Sequence, residues 1–258
     1  MAKHRVEITD ELARVHRFER EIELAGTETV DSPLGAGVLT PELPRRHDSN
    51  YVFLERATSA QEAVAEADRI LGGAGRTHRV VLTFDEDLAV RLSPQFQALG
   101  WLTQRHLFMA QRREPEKRAD TSIVREVEES ALRPGRTREI LSQPWGTPEV
   151  ARQLLDAKVM LAERAKTRFF GVEVDGEIVA WSDLYLAQGV GQVEDVATAA
   201  EHRGKGYATA VVLRAAEEAR GAGADLVFLV ADDYDWPKEL YARLGFDPIG
   251  RVYKFIRP

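Results

Sequence analysis

The chain has 258 residues, 44% hydrophobic and 30% charged, with a formal charge of −7. That length supports one large domain or two of ordinary size, and the composition is that of a folded protein rather than a disordered one. The charge argues against a nucleic-acid surface and an anionic membrane, and the lack of cysteine excludes disulfides, cysteine metal sites and thiol nucleophiles.

Residues 1–10 are polar and mixed in charge, unlike a signal peptide. No stretch approaches a membrane span, so the expected location is cytoplasmic. Residues 34–38 hold two glycines with no helix behind them, which reads as a turn rather than a phosphate loop. His47, Asp48 and Ser49 have triad residue types, but neighbours in one segment cannot converge as a triad does. Residues 57–75 read as a surface helix, with 60–71 as its periodic part, and residues 80–84 read as a strand. The six histidines show no metal spacing. Residues 112–120 are charged, carry Pro115 and lack large apolar side chains. They are expected to link two domains, 1–111 and 121–258.

Beyond that linker the elements alternate. Residues 122–127 form a short strand candidate, and 131–141 a helix whose start Pro134 and Gly135 delay. Thr147-Pro148 opens a helix with a capping hydroxyl and an N1 proline. Val150, Leu154, Ala157 and Leu161 fall on one face of it. Strands 168–174 and 177–186 flank Asp175-Gly176, a hairpin signal. Another strand covers 193–198. From Ala208, apolar residues recur at helical spacing until Gly221 and Gly223. Strand 226–231, a short helix 236–244 and strand 252–256 complete the chain. Between the 193–198 strand and its helix lies Arg203-Gly204-Lys205-Gly206-Tyr207-Ala208. Two glycines leave the backbone N–H groups uncrowded, and the helix dipole adds positive potential, so the loop suits a phosphate-bearing ligand.

The order β–α–α–β–β–β–α–β–α–β resembles the GNAT superfamily of acyl-CoA N-acyltransferases over about residues 121–258. Arg203-x-x-Gly206-x-Ala208 is similar to the family's pyrophosphate loop. It sits between a strand and an amphipathic helix, as in the family. Leu240-Tyr241-Ala242-Arg243-Leu244-Gly245-Phe246 is similar to the family's Leu-Tyr-x-x-x-Gly-Phe signature. The resemblance implies acetyl-CoA, or another acyl-CoA, as co-substrate and no metal. The amides of Gly204 to Ala208, including Lys205 and Tyr207, would hold the pyrophosphate. Side chains at Gly204 or Gly206 would block close approach. Arg203 and Lys205 would add charge there or simply be solvated. The backbone of Val196, Ala197 and Thr198 would pair with the pantetheine arm, with the Val196 N–H toward the thioester oxygen.

The resemblance also implies that Tyr241 protonates the departing thiolate, the alternative being a core aromatic. For the base, Glu194 is preferred and Asp195 comes next. Strand alternation puts them on opposite faces, and both could instead make structural hydrogen bonds. By resemblance the acceptor site borders Trp145, Phe170, Asp183 and Tyr185, with the acidic loop 232–236 near it or merely an ordinary turn.

A shift of 145 residues sets Phe96 on Tyr241 and Gly100-Trp101 on Gly245-Phe246. Strand 80–84 then falls on 225–229, and Leu107-Phe108 on Val252-Tyr253. The expected fold is therefore α/β: tandem GNAT-like domains, each a mixed sheet flanked by helices. At the same shift the glycine loop becomes Thr58 to Ala63, without glycine and with Glu62. The first half is thus expected to lack the cofactor, and to support the second or help build its acceptor pocket; an unrelated α/β domain is the alternative. The expected activity is acetyl transfer to a small-molecule or peptide amine by direct attack. A non-catalytic acyl-CoA-binding module is the alternative. An ATP loop is disfavoured because the Gly-x-x-x-x-Gly-Lys-Ser/Thr pattern is absent.

Overall fold

The computed structural model describes residues 9–258, so most of the segment read as unlike a signal peptide lies outside the described residues. The first half runs α1 (Asp10–Glu21), β1 (Glu28–Ser32), β2 (Gly35–Leu39), β3 (Tyr51–Leu54), α2 (Ala60–Ala67), β4 (Arg79–Thr83), α3 (Glu86–Ala98) and β5 (Leu102–Gln111). The second runs β6 (Val124–Val127), α4 (Glu129–Ser142), α5 (Pro148–Arg164), β7 (Lys166–Val174), β8 (Glu177–Ala187) and β9 (Val190–Thr198). It continues through α6 (Tyr207–Gly221), β10 (Leu226–Asp232), α7 (Pro237–Arg243) and β11 (Phe246–Arg257).

All the strands join one mixed sheet in the order β1-β2-β3-β4-β11-β5-β10-β9-β8-β7-β6. The pairs β3·β4 and β9·β10 are parallel and the others antiparallel. At the centre each half's last strand is exchanged. β11 separates β5 from β4, and β5 separates β11 from β10. The β5·β11 ladder runs from Gln111↔Phe246 to Leu102↔Ile256, with a bulge between Pro248 and Gly250. That bulge carries the strand past two residues that read as breakers, so β11 begins well before residue 252.

Side-chain alternation sorts the helices into two layers. Helices α2, α3, α6 and α7 pack on one face, around Val81, Phe255, Val211 and Leu229. Helices α1 and α5 pack on the other with Phe108, Phe228 and Tyr185, and α4 lies beside α5. The α1 stripe Leu12, Val15, Phe18, Ile22 is buried, and Thr9 caps its start. Two hairpin turns, Asp175-Gly176 and Gln188-Gly189, have positive φ at both central residues, as type I′ turns need.

Three local expectations change. Residues 35–39 form a strand rather than a turn. The 60–71 helix buries Ala60, Ala63, Ala67, Ile70 and Leu71, so it is half core. Helix α4 runs straight through Pro134 and Gly135 instead of starting after them. A Cβ at Gly135 would lie 2.9 Å from the Trp181 ring, so the glycine admits that ring against the helix backbone. Residues 112–117 are not free chain: the Arg112 and Arg113 N–H groups donate to the Gly245 carbonyl at 2.9 and 3.2 Å.

Candidate active site

Strands β9 and β10 pair only from Val190↔Leu226 to Val193↔Leu229. Beyond Val193 they part. On its other side β9 stays paired to β8, but the register slips between Trp181↔Ala197 and Asp183↔Glu194. Asp195 sits in the slip with a φ of 53°, in the left-handed region. The bulge leaves Glu194, Asp195, Val196, Ala197 and Thr198 with one backbone edge free of β10. Alternation fails there, because the extra residue resets which side each chain atom faces.

The glycine loop follows directly. Gly204 and Gly206 have φ of 79° and 86°, and nothing lies within 4 Å of a Cβ built on either. Glycine is thus required here by backbone conformation, before any ligand arrives. Gly206 is the N-cap of α6 and supplies no side-chain cap. The N–H groups of Gly204, Lys205 and Gly206 make no hydrogen bond among the described residues, and those of Tyr207 and Ala208 head the helix. Arg203 Nε donates to the Thr198 carbonyl at 3.1 Å, and Lys205 lies 3.3 Å from His202. These free amides, beside the unpaired β9 edge, fit a pyrophosphate and an extended amide-bearing arm.

Tyr241 on α7 is 8% exposed and packs edge-on to Phe246 at 6.4 Å. Burial, then Glu194, push its phenol above the ordinary value, so it stays protonated. The two carboxylates on β9 differ. Glu194 is half-buried and accepts from Gln192 Nε2 at 3.2 Å. Burial, then Glu23, hold its carboxyl well above the usual carboxylate range. Asp195 lies 2.8 Å from Arg136 Nε and 3.6 Å from Lys158. Those cations also hold the fully buried Asp183, with Lys158 at 2.9 Å from both Asp183 and the Tyr185 hydroxyl. Burial opposes the Lys158 charge, yet Asp183 and Asp195 overcome it and hold its pKa well above the lysine value.

A cleft of about 290 Å³ opens above this ionic floor. Its apolar walls include Ile140, Trp145, Leu154 and Trp181. The first half closes it with Glu23, Arg46 and Asp48. Arg46 pairs with Glu23 at 2.6 Å, and Lys254 pairs with Asp48. Among the described residues, Glu23 Oε2 and Trp181 Nε1 of this lining are buried without a hydrogen-bond partner, while Arg136 Nε, Arg136 Nη1 and Asp195 Oδ2 lack a hydrogen bond but have ion-pair contacts.

Trp145 stands at the cleft, 57% exposed, whereas Asp183 and Tyr185 are fully buried beneath it and reach it through the lining Arg136 and Lys158. Phe170 does not belong to it. It is fully buried on the opposite face in the core under α6, while Phe169 lies on the cleft side, 5.5 Å from Arg136. The 232–236 loop has no spare carboxylate at Asp233, which pairs with Arg105, Lys238 and Arg251. Sequence reading missed Arg136, Lys158, Glu19 and Glu23. Two left a trace: Lys158 falls on the buried stripe between Leu154 and Leu161, and Glu19 on the stripe of Leu12, Val15 and Ile22. A charge on an apolar stripe signals a buried polar network.

The acetyltransferase (GNAT) family profile matches residues 128–246, which span the bulged strand, the glycine loop and Tyr241. Residues 128–246 form a GNAT-family domain. The whole chain is similar in fold to a functionally unknown conserved protein from Staphylococcus epidermidis, with a TM-score of 0.68 at 15% identity, over 91% of this chain and 94% of that one. It is likewise similar to a GCN5-related N-acetyltransferase from Kribbella flavida, with a TM-score of 0.58 at 18% identity, over 96% and 94%. A GCN5-related N-acetyltransferase from Sphaerobacter thermophilus gives a TM-score of 0.55 at 14% identity, over 77% of this chain and 67% of that one. These are likenesses of fold. No curated protein matches the sequence. Among the described residues no helix is long and apolar enough to cross a membrane, and no acidic and histidine side chains cluster to hold a metal.

Proposed function

We propose that the protein transfers an acetyl group from acetyl-CoA to a primary amine, using one active site in residues 121–258. The observation that carries this is the parting of β9 from β10 beside free loop amides and Tyr241. The unpaired edge of Val196 to Thr198 would take the pantetheine amides, and the Val196 N–H the thioester oxyanion. Residues 203–208 would hold the pyrophosphate.

Glu194 takes a proton from the bound ammonium. The freed nitrogen lone pair forms a bond to the thioester carbonyl carbon, and the C–S bond then breaks. Tyr241 protonates the sulfur, and the second nitrogen proton leaves to solvent, from which Tyr241 is restored. Burial raises Asp195 too, but Lys158 and Arg136 counter it and occupy its oxygen, so Glu194, which has no cation on it, is the preferred base.

The first half acts as a degenerate copy of the same fold. Gly100 after α3 and Gly245 after α7 share a left-handed conformation, with φ of 77° and 86°, which supports the repeat. Its equivalent of the glycine loop is shorter and capped by Ser59, whose hydroxyl accepts from the Glu62 N–H. The N–H groups of Thr58, Ala60 and Glu62 are already taken by the side chains of Glu62, Gln95 and Ser59, which leaves fewer amides for a phosphate than the glycine loop offers.

The test is free CoA release from acetyl-CoA on adding amines, with acetyl-CoA affinity measured in parallel. Tyr241→Phe should lower kcat by about 10²-fold or more and leave acetyl-CoA affinity unchanged. Tight binding with no turnover on any amine would instead indicate a binding module.

A further inference from the structure

The acceptor cleft has a charge balance that selects among amines. Glu19 and Glu194, whose carboxyls are held protonated by burial, add acceptor atoms nearby rather than charge. Five charged carboxylates lie at the cleft or beneath it: Glu23, Asp48, Glu139 and Asp195 in the lining and Asp183 buried below. Four cations answer them: Arg46, Arg136, Lys158 and Lys254. Each cation is already paired, Arg136 with both Asp183 and Asp195. A substrate carboxylate or phosphate would therefore find no free cation and would meet the surplus negative charge. What Glu23 Oε2 and Glu194 lack is a donor of their own. Gln192 serves both Glu19 and Glu194 with one amide nitrogen, and Glu23 Oε2 is buried unpartnered. An ammonium brings three donors and one positive charge. Trp181 Nε1 adds a spare donor, which a neutral acceptor atom satisfies as well as an anion does, and Arg136 Nε and Nη1, also without a hydrogen bond, face Asp195 and Glu129 at 2.8 and 3.7 Å.

The walls define the rest of the molecule. About 290 Å³ between Trp145, Trp181, Ile140 and Leu154 suits a small apolar or aromatic body. We infer that the acceptor is a small arylalkyl or alkyl amine without an anionic group, bound as its ammonium between Glu194 and the first half's Glu23. This rests on the acetyltransferase reading, and it assigns the first half a share in substrate selection.

The test compares 2-phenylethylamine with phenylalanine, which differ by one carboxylate, on the full chain saturated with CoA. Calorimetry or Trp145 fluorescence gives the dissociation constants without needing turnover. The expected result is at least tenfold tighter binding of the amine. Glu23→Gln should weaken the amine by tenfold or more and leave CoA affinity unchanged. Trp145→Ala should weaken the amine likewise. Equal or tighter binding of phenylalanine, or CoA binding with neither amine detected, overturns the inference while leaving the acetyltransferase reading intact. Failure to bind CoA at all sinks that reading and the inference with it.

Discussion

Gln192 on β9 donates to the buried carboxylate of Glu19 on α1 at 2.8 Å. The same amide reaches Glu194 at 3.2 Å. A helix of the first half is thereby tied to the residue proposed as base in the second. Among the described residues Glu19 has no cation within salt-bridge distance, and burial, then Glu23 and Glu194, raise its carboxyl well above the ordinary value.

A carboxyl raised on folding stabilises the protein below its unfolded pKa, and that contribution is lost as pH rises through the folded value. Glu19→Gln keeps an acceptor for Gln192 and removes the titration. Its melting temperature should exceed that of the parent above neutral pH, by roughly 2–4 °C per kcal/mol recovered. The gain should shrink toward acidic pH, and thermal melts across pH would reveal it.

Glu194 must be ionised to take a proton. Burial, then Glu23, hold it protonated beyond the ordinary carboxylate range. Hence kcat/KM should fall as pH drops through a limb lying well above an unperturbed glutamate near ~4.3. Glu23→Gln removes a repelling charge and should move that limb to lower pH. A pH–rate profile of both proteins with one amine tests the shift. Glu194→Gln should abolish the limb.

Gly206 and Gly245 both have φ of 86°, yet their surroundings differ. A Cβ on Gly206 meets nothing within 4 Å, whereas one on Gly245 would lie 2.0 Å from the Arg113 carbonyl. Gly206→Ala should therefore cost about 1–2 kcal/mol, from backbone conformation alone. Gly245→Ala should cost more, because it also separates the 112–117 segment from α7. Denaturant unfolding of the two variants gives the ranking.

Arg136 is 2% exposed and bound by Asp183 and Asp195. Arg136→Met leaves those carboxylates with Lys158 alone and should destabilise by about 3–5 kcal/mol. Equal stability to the parent would mean that the cluster is not held by charge.

Residues 121–258 alone lack β5, which lies between β10 and β11. Both of those strands would lose a ladder, so the isolated half should not fold as a monomer. Co-expressed with residues 1–120, it should be recovered as a stoichiometric complex, detectable by affinity capture of either piece.

Much was legible in the chain itself. The element order of the second half, the Asp175-Gly176 turn, the glycine loop and Leu240 to Phe246 are local patterns. Turn chemistry, capping and periodicity act over a few residues, so they survive in sequence. Glu19 and Lys158 went unread, although a charge on an apolar stripe was there to be noticed, and their partners left no local signal. Tertiary structure decided the rest. The exchange of β5 and β11 depends on which edges meet, and both strands read alike from sequence. The Asp195 bulge depends on the β8–β9 register, and it alone determines that Asp195 is ion-paired while Glu194 is not. The cleft joins Glu23 and Asp48 to Lys158 across more than a hundred residues, and only packing the two halves on one sheet brings those charges together.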